Sequence, residues 1–188
     1  AMALERGNFR GKKIVDAVLY LPIVIPEITQ AVSLAIFFKF VFDLWQTLTG
    51  NNLTYGFPTI IVGHVVFSVS FVTIVVRARL SDMNPRLEEA ARDLGANEWR
   101  TFWRVTFPLI LPGVIAGALL AFTLSLDDYI VTFFNNGVGT DTLPIFVYGS
   151  LRQRVSPEIN ALSTLMLIAS MALVGFSLTM QNRGARQR

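Results

Sequence analysis

The sequence predicts an all-α protein that crosses a membrane several times as a single transmembrane domain over residues 1–188. Charged residues make up only 15% of it, against about 25% in ordinary soluble domains, and its mean hydropathy is +0.53. Three long runs contain no Asp, Glu, Lys or Arg: Leu44–Val76, Val105–Leu126 and Ile159–Asn182. A helix needs about 20 mostly apolar residues to cross the hydrocarbon core of a bilayer, so each run can supply one crossing.

The first crossing is predicted over residues 14–45, which is too long for one straight helix. At about 1.5 Å per residue, this stretch would exceed the roughly 30 Å thickness of the hydrocarbon core. Pro22 and Pro26 each lack a backbone N–H and clash with the turn before them. We therefore expect the helix to kink or break at these prolines and to complete its crossing through residues 31–41.

Three further crossings are predicted over residues 58–76, 108–134 and 160–180, and the positions of Lys and Arg orient them. Thirteen of the 16 basic residues lie before the first crossing, between the second and third, or after the fourth. They are Arg6, Arg10, Lys12, Lys13, Arg77, Arg79, Arg86, Arg92, Arg100, Arg104, Arg183, Arg186 and Arg188. An even number of crossings places these segments on one side, and the positive-inside rule makes that side, with the C-terminus, the cytoplasm. The long outer loop before the fourth crossing holds two basic residues, Arg152 and Arg154.

Residues 81–107 are polar enough to leave the membrane and are patterned as two short cytoplasmic helices joined by a glycine turn. Asn84 can cap the first helix through its side-chain oxygen. Gly95 can then end it, because glycine adopts the left-handed conformation that other residues resist. Asn97 can cap a second helix over residues 98–105. The sequence thus predicts a helical hairpin beneath the membrane.

The first helix of this hairpin carries an apolar face with little side-chain bulk. Leu87, Ala91 and Leu94 share that face at helical spacing. Three large aromatic residues follow it: Trp99, Phe102 and Trp103. An amphipathic helix with such residues suits lipid headgroups, yet its small side chains would also let another protein approach closely. From the residues alone, both interpretations stay open.

The hairpin also carries a motif with defined spacing. Glu89-Ala90-Ala91 is followed after three residues by Gly95. Nine residues then separate Gly95 from the run Val105-Thr106-Phe107-Pro108. This pattern resembles the EAA loop of bacterial ABC-transporter permeases.

Other parts of the sequence are similar to the spermidine/putrescine branch of this family, and in particular to its second permease subunit. These parts are Arg86–Ala96, Ser125–Asp128 and Val155–Leu162. The resemblance implies the type I (MetI-like) fold of ABC importer permeases, with about four spans in this chain and a cytoplasmic coupling-helix loop over residues 81–107. Members of this branch carry further spans ahead of the matched part, so we expect this sequence to lack its N-terminal spans.

The resemblance further implies an ATP-driven importer built from several subunits in the lipid bilayer. This chain would work with a second permease subunit, a cytoplasmic ABC ATPase and a periplasmic substrate-binding protein at the bacterial inner membrane. Glu89, Ala90 and Ala91 would form the surface that docks on the ATPase, and Gly95 would be the turn that aims it. ATP hydrolysis would belong to the ATPase, so this subunit would be non-catalytic and would need no cofactor.

The sequence contains no pattern typical of a catalytic centre, a metal site or nucleic-acid binding. It has no cysteine and one histidine, His64, which excludes a thiolate zinc site and a multi-histidine metal site. Residues 7–13 lack one spacer and the metal-binding hydroxyl group of a phosphate loop. The basic residues lie beside apolar runs and form no separate basic domain. We expect His64 to form hydrogen bonds between helices.

Asp127 and Asp128 fall in the third predicted crossing, near its outer end. A carboxylate at the centre of a transmembrane helix costs about 2.5–3.5 kcal/mol, so such a pair is a functional hypothesis. With Tyr129 and Glu27, the pair could offer carboxylates and an aromatic face to a polyamine along a substrate path or gate. Alternatively, these residues lie at the outer interface, where they anchor the helix or bind the partner permease.

Two other functional interpretations also stay open. A secondary transporter or a channel subunit would share the apolar spans, but it would have no need of the helix–glycine–helix hairpin. An ABC permease for a different small solute would keep the hairpin and carry another cargo. The presence or absence of an ATPase partner separates the first interpretation from the second.

Overall fold

A computed structural model describes residues 1–7, 9–153 and 157–185, with side chains throughout except at residues 153 and 177–185. All regular structure in these ranges is helical. The helices are α1 (Met2–Arg6), α2 (Lys12–Val24), α3 (Glu27–Thr49), α4 (Phe57–Ser81), α5 (Arg86–Asp93), α6 (Glu98–Thr101), α7 (Phe107–Asp127), α8 (Ile130–Asn135), α9 (Leu143–Gln153) and α10 (Pro157–Ala185). A π turn over Phe102–Thr106 joins α6 to α7. The basic residues Arg154, Arg186 and Arg188, and the first two residues of the stretch Val155–Leu162, lie outside the described residues.

Four helical segments in the described ranges are long and apolar enough to cross a membrane, as far as length and composition decide. They are Glu27–Thr49, Phe57–Ser81, Glu98–Asp127 and Pro157–Phe176, with mean hydropathies between 1.5 and 2.3. Each has at least 20 residues, which is the length that the hydrocarbon core requires. The predicted all-α class with four crossings is therefore confirmed.

The first predicted crossing consists of two helices, α2 and α3, which are separated at Ile25 and Pro26. Pro22 stays inside α2, whereas Pro26 stands at the N-terminal end of α3. The Gln30 side chain donates hydrogen bonds to the carbonyl oxygens of Pro22 and Ile25, at 2.6 and 2.8 Å. Because Pro26 has no N–H, the carbonyl of Pro22 would otherwise lack its helical donor. The amide of Gln30 therefore stabilises the break that the prolines predict.

The third crossing differs from its prediction at both ends. The sequence predicted a second hairpin helix over residues 98–105 and a separate crossing from Pro108, but α6, the π turn and α7 form one continuous helix. The wider π turn accommodates Pro108, whose ring would otherwise clash with the carbonyl one turn back. At the other end, α7 stops at Asp127 and α8 begins at Ile130, so the predicted span 108–134 is interrupted.

The outer loop predicted before the fourth crossing contains the helix α9, and α10 begins at Pro157, before the predicted residue 160. The 11 residues of α9 are too few for a crossing. Pro144 and Pro157 both stand in the first turn of their helices, where the missing N–H of proline costs nothing. These helices therefore start where proline is tolerated, a signal that was present in the sequence.

The helices α4 and α7 form the central pair, with α10 against α7 and α8 against α3. The spacing of Gly113 and Gly117 predicts a close helix approach, and the structure has one there. A methyl group added at Gly113 would stand 2.8 Å from Cβ of Arg79, and one at Gly117 would stand 3.1 Å from Cγ1 of Val72. A buried apolar cluster extends this contact toward the hairpin: Val76, Leu80, Met83 and Ile110.

Candidate functional site

The predicted glycine turn of the hairpin is closed by two backbone hydrogen bonds. Ala96 N–H donates to the Ala91 carbonyl at 3.0 Å, and Gly95 N–H donates to the Arg92 carbonyl at 2.8 Å. This pair of bonds is a Schellman motif, which requires a left-handed residue just beyond the helix end. Gly95 supplies it with a φ of +85°. The helix α5 therefore ends where the sequence predicted, and the turn has one defined shape.

Asparagine side chains accept hydrogen bonds from backbone N–H groups at the N-terminal ends of both hairpin helices. Asn97 accepts a hydrogen bond from the Arg100 N–H at 2.9 Å, as an N-cap does. Asn84 accepts one from the Arg86 N–H at 3.0 Å, in the turn before α5. Both asparagines thus satisfy helical N–H groups that have no partner within the helix.

The predicted docking residues lie on the exposed side of α5. Glu89 and Ala90 are exposed, and Ala91 is half-buried. Leu94, at the end of the helix, is 90% exposed, and Leu87 is 46% exposed. Apolar side chains this far into solvent mark a contact surface that nothing else in the described chain covers.

Aromatic residues of α6 and the π turn form a stack beside this surface. The ring centroids of Trp103 lie 5.7 Å from Trp99, 5.1 Å from Phe102 and 5.0 Å from Phe107. Trp99 remains 70% exposed. The hairpin therefore presents a broad apolar and aromatic surface on a rigid base.

Glu88, which is adjacent to the predicted docking carboxylate, is only 8% exposed. Its two carboxylate oxygens accept hydrogen bonds from the Arg6 guanidinium and the Thr106 hydroxyl. Burial disfavours the charged form, but the bonds from Arg6 and Thr106 hold the pKa of the Glu88 carboxyl below its usual value. From the sequence, Glu88 is a carboxylate in the first turn of α5 that the helix dipole favours, and its two partners, which are distant in the chain, were not predicted.

Further ion pairs connect α1 to the long helices. Arg77 of α4 lies 3.1 Å from the Glu5 carboxylate of α1 and 2.5 Å from the Asp16 carboxylate of α2. The side chains of Arg77, Asp16 and Glu5 are 19, 25 and 26% exposed, so all three are largely buried. These contacts fix the start of the described chain against α4.

A second polar cluster lies at the interruption between α7 and α8. Asp128 accepts hydrogen bonds from the N–H groups of Val131 and Thr132 at 3.1 and 2.8 Å, and from the Thr132 hydroxyl at 2.8 Å. Its side chain is 1% exposed. Asp128 thus satisfies the N–H groups at the start of α8 that have no partner within that helix.

His64 of α4 joins this cluster. Its Nε2 lies 3.1 Å from the Asp128 carboxylate and 2.9 Å from the Thr132 hydroxyl, and its Nδ1 lies 2.6 Å from the Ser125 hydroxyl. The imidazole therefore links α4 to both sides of the interruption. This arrangement agrees with the expectation that His64 forms hydrogen bonds between helices.

The structure separates the three residues predicted along a substrate path. Asp127 and Tyr129 line a cavity of about 310 Å³ between α7, α9 and α10, whereas Asp128 points into the protein. The Tyr129 and Tyr148 rings are 4.3 Å apart at this cavity, and the Arg152 guanidinium lies 5.4 Å from the Tyr148 ring. Glu27, at the start of α3, lies next to Asp128 on the other side.

The described residues form a multi-pass helical bundle with an exposed helix–glycine–helix hairpin. Polar side chains lie where the third span is interrupted. Together these features are those of a membrane transport component. Residues 1–187 match the family of binding-protein-dependent transport system inner membrane components, and the chain belongs to that family. It is accordingly a multi-pass component of the inner membrane.

Two curated relatives are similar over most of this chain. The chain is 39% identical to the spermidine/putrescine transport system permease protein PotC of Haemophilus influenzae over 177 residues, which cover 94% of this chain and 65% of PotC. It is 40% identical to the putrescine transport system permease protein PotI of Escherichia coli over 177 residues, which cover 94% of this chain and 61% of PotI. The chain therefore spans less than two thirds of the length of these relatives.

The fold is also similar to that of a solved structure. The crystal structure of a bacterial ABC transporter involved in the import of the acidic polysaccharide alginate superposes with a TM-score of 0.70 at 19% identity. The match covers 98% of this chain and 70% of the solved chain. The predicted fold of an ABC importer permease is thereby confirmed.

Proposed function

We propose that this chain is a permease subunit of an ATP-driven importer for polyamines such as spermidine and putrescine. Its similarity to PotC and PotI supports this cargo class. The exposed hairpin, with its turn closed at Gly95, is the observation that carries the proposed coupling to an ATPase. A helix that projects from a membrane domain with its apolar residues in solvent is built to contact another protein.

In this function, α5 docks in a groove of a cytoplasmic ATPase. Leu94 enters an apolar part of the groove, and Glu89 supplies a charge at the rim. Ala90 and Ala91 have so little bulk that the ATPase backbone can approach α5 closely. Gly95 fixes the angle at which α5 is presented. Closure of the ATPase around ATP then pulls on the hairpin and shifts the spans.

The remaining subunits follow from the same proposal. ATP hydrolysis belongs to the separate ATPase, and this subunit is non-catalytic. A periplasmic binding protein delivers the polyamine on the opposite side, and a second permease subunit completes the path. The hairpin and the C-terminus then share the cytoplasmic side, which the distribution of Lys and Arg supports.

The cavity beside Asp127 is the proposed contact with the polyamine. Asp127 is exposed and lines the cavity together with Tyr129 and Tyr148. A carboxylate beside aromatic faces suits an alkylammonium group, through charge and through cation–π attraction. Asp128 instead holds α8 in place and has no direct contact with cargo.

A charge reversal at Glu89 tests the coupling role. In the complex purified from membranes, Glu89→Lys should reduce the amount of ATPase that co-purifies and abolish ATP-dependent uptake of radiolabelled putrescine. The matched control Asp141→Lys makes the same charge change at an exposed residue in the loop before α9 and should leave both quantities unchanged. Normal ATPase recovery and uptake in the Glu89→Lys complex would exclude the proposed docking surface.

A further inference from the structure

The geometry points to Glu88 as a positioning residue that joins the hairpin to α1 and to the third span, so that these parts move as one unit. This inference rests on the proposed function, because it concerns how motion of a docked ATPase reaches the membrane helices. Glu88 itself does not contact the ATPase in this scheme. Its role is to keep α5 from swinging on its own when the ATPase pulls on it.

Glu88 is a buried charge in a helix whose other residues are exposed or, at Ala91, half-buried. Glu88 is 8% exposed, whereas its neighbours Leu87 and Glu89 are both exposed. Removing a carboxylate from water is costly unless hydrogen bonds compensate it. Glu88 receives such bonds from both Arg6 and Thr106, which makes it the fixed point of α5.

The two partners of Glu88 lie in different elements. Thr106 is in the π turn, which continues directly into α7 and the third span. Arg6 is in α1, which is otherwise distant from the hairpin in the chain. A single carboxylate therefore connects three separate elements. In addition to the covalent connection through the Gly95 turn, α5 is held to the third span by one hydrogen bond and to α1 by one ion pair.

The helix α1 is itself held by the long helices. Glu5 pairs with Arg77 of α4, and Arg77 also pairs with Asp16 of α2. Met2 packs against the buried apolar cluster between α4 and α7, and Leu4 is buried. A helix of five residues is not stable alone, so these contacts define its position. Through α1, Glu88 is connected to the first and second spans as well.

Adjacent carboxylates thus have different tasks: Glu89 faces outward to the ATPase, and Glu88 faces inward to the membrane domain. The two tasks predict different defects. In the assembled transporter in proteoliposomes, Glu88→Gln should retain the ATPase and hydrolyse ATP near the normal rate. Putrescine uptake per ATP should fall about tenfold, within the usual range of coupling between sites. The matched variant Glu89→Gln should instead lower ATPase recovery.

A reversible cross-link provides a rescue test. Because this chain has no cysteine, Arg6→Cys with Glu88→Cys creates a unique thiol pair. The unlinked pair should show the same loss of uptake per ATP as Glu88→Gln. A short bis-methanethiosulfonate linker should restore uptake, and a reductant should remove the restoration.

The outcomes separate this inference from the proposed function. If the unmodified complex contains no ATPase, the proposed function fails. If the ATPase is present but Glu88→Gln either lowers its recovery as Glu89→Gln does or leaves uptake per ATP unchanged, the positioning role of Glu88 fails. Failure of the linker to restore uptake would also overturn the positioning role of Glu88. If this role is only to connect α5 to α1, a covalent link should replace the ion pair.

Discussion

At the scale of single residues, two pairs of adjacent carboxylates are divided in the same way between inside and outside. Glu88 is buried and Glu89 is exposed, while Asp128 is buried and Asp127 is exposed. Successive residues of α5 point about 100° apart, and the chain leaves the helical conformation between Asp127 and Asp128, so the two side chains of each pair point in different directions. The buried member supports the structure, and the exposed member is free for a partner or cargo.

The pair at the α7–α8 interruption leads to opposite expectations for two conservative variants. Asp127→Asn should raise the KM for putrescine about tenfold, because one charge-assisted contact with an ammonium group is lost. It should leave the unfolding temperature of the complex unchanged. Asp128→Asn should lower that temperature, because the cap of α8 and the contact with His64 are weakened. The free energy of unfolding should fall by about 1–3 kcal/mol.

Uptake kinetics and thermal unfolding of the purified complex measure both effects, and each variant serves as the control for the other. An Asp127→Asn transporter with unaltered KM would assign Asp127 to the outer interface, which is the alternative that the sequence left open.

At the scale of helices, the close approach of α4 and α7 depends on glycine. Gly113→Ala places a methyl group 2.8 Å from Cβ of Arg79, so the helices must separate. We expect the free energy of unfolding to fall by about 1–3 kcal/mol, the usual cost of overpacking. Gly149→Ala in α9 is the matched control, since nothing lies within 4 Å of the added methyl group. That variant should be neutral or gain up to about 1 kcal/mol from the higher helix propensity of alanine.

Thermal unfolding in detergent, followed by circular dichroism, measures these changes. Equal stability of the two alanine variants would contradict the close contact between α4 and α7.

Local sequence signals predicted the spans and the hairpin well, since apolar runs, caps and Gly95 act within a few residues. The break at Pro26 was predicted for the same reason. The π turn was not, because Pro108 is compatible both with the start of a helix and with a locally widened one. The partners of Glu88 could not be predicted either. Arg6 and Thr106 are separated from it by 82 and 18 residues, and only tertiary packing brings them together.

At the scale of the whole molecule, the positive-inside rule and the fold give one topology that can be tested directly. Because the chain has no cysteine, single substitutions at exposed residues report sidedness. In spheroplasts, a membrane-impermeant maleimide should label Asp141→Cys, before α9, without permeabilisation. It should label Glu98→Cys, in the hairpin, only after permeabilisation. The reverse pattern would contradict the predicted orientation and place the hairpin outside the cytoplasm.

The unbroken helix from Glu98 to Asp127 has a mechanical consequence. At about 1.5 Å per residue, its 30 residues form a lever about 45 Å long. One end carries the aromatic stack of the hairpin, and the other end reaches the Asp127 cavity. A tilt of about 5° at the lower end therefore displaces the upper end by about 4 Å, more than the radius of an ammonium group. In the proposed importer, a small rocking motion at one membrane surface would therefore be sufficient to open or close a passage at the other.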